Sequence, residues 1–135
     1  MLFRSGRHPE SAGRALVVMR SAYSPVVRDT MDYSTALCDR DGELVAQGLT
    51  LAVQLGTFPT VMHYVLDELG STAQPGDVYI SNDPYGYGGQ HLPDLYVIQP
   101  IFHDGELEGY AATMAHHVEI QIGRASCRER VWTVV

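Results

Sequence analysis

The 135-residue chain contains no lysine; all nine of its fixed cations are arginines. That excludes a Schiff-base lysine and the lysine of a GxxxxGK[ST] phosphate loop. Positive charge is scarce as well. The formal net charge of −7 has the wrong sign for a nucleic-acid partner. Cysteine is limited to Cys38 and Cys127, with no CxxC pair, so there is no disulfide framework. No apolar run approaches the ~18 residues a membrane span needs. The opening MLFRSGRHPESAG has no apolar core of a secretory signal. A cytoplasmic address without a membrane partner is therefore expected, and a disulfide is not.

Hydrophobic residues make up 45% of the chain and charged residues 19%, a globular balance and not a disordered one. The length fits one domain with a modest core. Ser11 to Ala22 reads as a helix with Ser11 as N-cap, ended by Ser24-Pro25. Residues 33–38 and 43–47 read as strands joined by Asp39-Arg40-Asp41-Gly42, a strong hairpin turn. Thr57 to Leu69, TFPTVMHYVLDEL, is the best helix: Thr57 can cap it, Pro59 falls in its first turn and Gly70 closes it. Its apolar stripe is Val61, Met62, Val65, Leu66 and Leu69, which leaves His63 at the rim. Residues 95–102 and 106–115 form two more strands around His103-Asp104-Gly105. The expected fold is α+β. Antiparallel hairpins form a sheet with one or two packed helices, the one at 57–69 across one face, in an incomplete domain.

The chain is arranged around PGDVYISNDPYGYGGQHLPD, which ends at Asp94. A β-rich VYIS gives way to Asn82-Asp83-Pro84, a turn signal, and then to glycines at 86, 88 and 89. His91, Pro93 and Asp94 emerge from that run just before the next strand. Polar, ligand-capable side chains between two apolar strands suit a site. A long hairpin loop with one surface histidine is the plainer alternative. Asp32, ahead of the first strand, reads by itself as a turn-capping carboxylate. At His116-His117 adjacent strand residues face opposite ways, so only one of the two can face a shared site.

The last stretch, QIGRASCRERVWTVV, breaks the pattern: it carries three of the nine arginines and the only tryptophan. Residues 121–131 resemble the conceptual translation of a common sequencing-library adapter. Residues 12–120 are therefore expected to be the natural domain part. Residues 121–135 are expected to be a non-native tail with poor packing.

Three segments carry a family resemblance: SAYSPVVRDTMDYSTALCDRDGELVAQ, PGDVYISNDPYGYGGQHLPDLYVIQPIF and DGELEGYAATMAHHVEI. Over Arg14 to Ile120 the chain resembles the hydantoinase B/oxoprolinase family. That family comprises N-methylhydantoinase B subunits, the matching half of 5-oxoprolinase, and related acetone and acetophenone carboxylase subunits. The chain departs from the commoner pattern by one extra residue in YGYGGQ and by Gln90; the His91–Asp94 spacing is kept. Family members are several times longer, so an N-terminal fragment, inactive by itself, is expected.

The resemblance implies ATP-dependent hydrolysis of a small cyclic amide. It implies a divalent metal (zinc, manganese or iron) in this subunit, with Asp32, His91 and His116 as ligands. Asp94 is a further candidate, as ligand or as the carboxylate that orients an imidazole. It also implies an A-type partner subunit or domain that binds ATP, for which this chain has no site of its own. The alternatives are a subunit of an ATP-dependent ketone carboxylase, which shares these motifs, and an inactive partner-binding fragment.

Overall fold

The computed structural model describes residues 9–48, 56–69, 72–85, 91–118 and 133–134. The glycine run at 86–89 and Gly70 lie outside these residues. The described elements are α1 (Pro9–Ser21), α2 (Pro25–Asp29), β1 (Tyr33–Asp39), β2 (Leu44–Gln47), α3 (Phe58–Leu69), β3 (Tyr79–Ser81), β4 (Asp94–His103), β5 (Glu106–His116) and β6 (Thr133–Val134). The strands form one antiparallel sheet in the order β2-β1-β5-β4-β3-β6. The α+β architecture expected from the sequence is the one observed.

Both hairpins close on the turns the sequence marks. Asp39 Oδ1 accepts the N–H groups of Asp41 and Glu43 at 3.0 and 2.8 Å, which satisfies the turn backbone from within. At the β4–β5 turn His103 pairs with Glu106, leaving Asp104 and Gly105 as the two-residue loop. Both have positive φ (49° and 85°), as a turn matched to the twist of its strands requires.

Alternation assigns the two sheet faces. Ala36 and Cys38 of β1, Tyr110, Ala112 and Met114 of β5, and Tyr96 and Ile98 of β4 share a core with Phe58, Val61, Met62 and Val65 of α3. The α3 residues recur at helical spacing, which brings them onto one stripe. On the opposite face Tyr33 and Ala115 pack with Ala15, Val18, Met19, Ala22 and Val27, and the Tyr33 hydroxyl donates to Ala15 O at 2.8 Å. β1 is consequently covered on both sides.

Two details differ from expectation. Helix α1 begins at Pro9, where the absent N–H costs nothing, so Ser11 lies inside the first turn and is not the cap. α1 ends at Ser21, ahead of Ser24-Pro25, but Pro25 also starts α2, a third helix, because proline pre-sets the φ of a first helical turn and buried Val27 anchors that turn. Of the 121–135 tail only Thr133 and Val134 are described, antiparallel to Ile80 and Tyr79 of β3; the expectation of poor packing falls mainly on residues outside the described chain. Among the described residues no helix is long and apolar enough to cross a membrane.

Candidate metal centre

The register of β4 and β5 pairs Asp94 with His116 and, two residues on, Tyr96 with Met114. Direct partners in an antiparallel pair project to the same face. Asp94 and His116 therefore share the face that α3 packs on. Tyr96 beneath them meets Phe58 edge-to-face at 5.8 Å and hydrogen-bonds Thr57 Oγ1 at 2.6 Å. The Asp94 carboxylate thus sits on an apolar floor and is only 1% exposed.

Two imidazoles approach that carboxylate from different elements. His116 Nδ1 lies 3.1 Å from Oδ1, and His91 Nδ1 lies 2.9 Å from Oδ2. The rings are 4.8 Å apart between centroids. The His116 contact is a hydrogen bond. The His91 contact lacks that alignment, and Oδ2 remains buried without a hydrogen bond. His91 is half exposed, at 52%, so the cluster has a buried floor and an open lip. His117, the other half of the doublet, donates its backbone N–H to Pro93 O at 2.9 Å. Burial, and secondarily His116, lowers its imidazole pKa below the usual value.

The sequence-expected residues therefore converge in part. His91, Asp94 and His116 each offer a ligand atom within 4.8 Å of the others. Asp32 is outside that trio, yet its backbone is pinned beside it. Its carbonyl accepts the His116 N–H at 3.0 Å, and its N–H donates to Val26 O at 3.2 Å. Met31, just ahead, has φ 56°, a region non-glycine residues seldom occupy. Tyr33 N–H bonds back to Met31 O at 2.8 Å, which puts Asp32 at the centre of a tight turn. His63 is exposed, as its place on the helix rim implies.

Two polar residues near the site read from the sequence only as turn formers. Asn82 and Asp83 are 5% and 2% exposed. Asp83 Oδ1 accepts Tyr85 N–H at 2.8 Å, and Asn82 Nδ2 donates to Leu92 O at 3.2 Å. The NDP triplet showed that the chain turns here, but not that the turn is buried.

Two imidazoles and a carboxylate make a donor set suited to zinc, manganese or iron. A buried carboxylate oxygen without a hydrogen bond is costly, and a cation among these donors would satisfy it. The residues fit a divalent metal.

The chain matches the family described as hydantoinase B/oxoprolinase over residues 10–127. It is 36% identical over 104 residues to a 5-oxoprolinase of Dictyostelium discoideum, covering 77% of this chain and 8% of that protein. Among solved structures, an ATP-dependent caprolactamase from Pseudomonas jessenii superposes with a TM-score of 0.62 at 29% identity, covering 80% of this chain and 21% of the other. A nucleotide-free acetone carboxylase gives a TM-score of 0.72 at 22% identity, over 81% and 14%, a likeness of fold. The chain thus spans a small part of the relatives it matches. By sequence it belongs to the hydantoinase B/oxoprolinase family.

Proposed function

We propose that this chain is the metal-holding part of an ATP-dependent cyclic amide hydrolase of the hydantoinase or 5-oxoprolinase type. The observation that carries the reading is the trio His91, Asp94 and His116, gathered on a buried floor with one open side. The similar proteins at 29% and 36% identity are named for lactam chemistry, a caprolactamase and a 5-oxoprolinase. The acetone carboxylase, at 22%, supports the architecture and leaves ketone carboxylation as the second reading.

Opening a cyclic amide at neutral pH requires a polarised carbonyl and an activated water, and a divalent ion supplies both when bound. His91 and His116 would hold it through imidazole nitrogen. Asp94 would hold it directly or fix both rings through their Nδ1 atoms. Asp32 is retained as a further ligand candidate on its pinned backbone. The floor around Tyr96 and Phe58 keeps bulk water from the buried side of Asp94. ATP would bind the A-type partner, since this chain has no lysine for a phosphate loop.

Elemental analysis of the purified chain tests the reading. About one divalent ion per chain is expected, lost in His91→Ala and His116→Ala. Full occupancy in both variants would overturn it.

A further inference from the structure

His91 belongs to no strand. In the sequence it follows glycines at 86, 88 and 89. Three bonds fix the backbone of residues 91–93. Asp94 N–H donates to His91 O at 3.0 Å, and His117 N–H donates to Pro93 O at 2.9 Å. Both come from the strand side. The third crosses the loop: the Asn82 amide donates to Leu92 O at 3.2 Å. A carbonyl can only accept, so this bond fixes which way the amide points.

Asn82 is the first residue past β3 and is almost fully buried. Its bond joins the departing end of the loop to the residue beside His91, ten positions on. The backbone bonds would survive any side-chain change; this one depends on a single amide.

We infer that Asn82 is a positioning residue. Its amide is the latch that sets His91 against Asp94 and His116 and so sets the affinity of the trio for a divalent cation. The inference rests on the metal reading above. Residues that orient metal ligands typically cost 10–100-fold in affinity when changed. Asn82→Asp keeps the size of the side chain, removes both N–H donors and turns an oxygen toward Leu92 O.

Zinc titration of the full chain against a chromophoric chelator tests this, with the metal-free thermal midpoint measured for each variant. Asn82→Asp is expected to weaken zinc binding roughly 10- to 100-fold and to lower the metal-free midpoint as well, because it buries a carboxylate against a carbonyl. His91→Ala is expected to abolish binding. If Asn82→Asp does not fold, Asn82→Ser, too short to reach Leu92 O, takes its place with the same expected loss. Wild-type zinc affinity in the Asn82 variant, with or without a lowered midpoint, overturns the latch while His91→Ala still loses the metal. Wild-type affinity in His91→Ala overturns the metal reading itself, and the latch with it.

Discussion

Asp94 and His116 are direct cross-strand partners on β4 and β5, and their side chains meet at 3.1 Å. Through this pair the sheet register, and not the loop, sets the floor of the site. Asp94→Asn preserves the volume but removes the charge that both imidazoles face. Divalent metal affinity is expected to fall at least tenfold, by ~1.4 kcal/mol or more. Competition titration checks it; unchanged affinity would remove Asp94 from the site.

Alkaline pH should loosen the core in a defined window. Burial, with Asp39 and Glu43 adding to it, pushes the Cys38 thiol from 9.0 up to about 12. Burial, with Asp77 adding to it, pushes Tyr79 from 10.0 up to about 12. Both groups keep their protons longer in the folded state than in the unfolded chain. Their contribution is therefore complete below pH 9 and is lost as pH rises through about 12. Urea midpoints should be flat up to pH 9 and fall above it, with the earliest part of the fall removed in Cys38→Ala.

Gly109 sits where β5 passes β1. A Cβ there would lie 2.3 Å from the Cys38 carbonyl oxygen, a backbone atom that cannot rotate away. Gly109→Ala is expected to cost about 3 kcal/mol by prying the central strands apart. Denaturant unfolding measures it, and a loss below about 0.5 kcal/mol would show that the strands yield.

Treating residues 121–135 as non-native predicts that ending the chain at Ile120 costs little. Among the described residues, Thr133 and Val134 pair with Tyr79 and Ile80 alone. The expected change in unfolding free energy is about 1 kcal/mol or less. A much larger loss, or a genomic reading frame that encodes the segment, would make it a genuine edge strand.

Much of this architecture can be read from local chemistry. DRDG and HDG specify their hairpins because the φ values they favour are the ones the turns use. The 57–69 helix is legible in its 3.6-residue stripe. That His116 returns toward the loop of His91 and Asp94 is legible from the hairpin, but its pairing with Asp94 is not: the two-residue turn alone would set Asp94 opposite Ala115, and the bulge between Ile101 and Phe102 shifts the register by one residue. Other features depend on tertiary context. α2 has five residues, too few to hold by propensity, and stands on the packing of Val27. Asn82 and Asp83 look like ordinary turn residues until the folded chain shows them buried. Asp32 is drawn to the site by a backbone bond to β5, which no side-chain pattern announces.

His91, Asp94 and His116 all hang from a single hairpin and the few residues leading into it. Contacts between segments close along the chain form early, before distant helices dock. Under the proposed reading, Asp94 and His116 are brought together once β4 and β5 zip up, ahead of Asp32 and the Asn82 latch, so a cation acts as a template for folding. Stopped-flow refolding with zinc present would then be faster than without it, and equal rates would place capture of the ion after the sheet has closed.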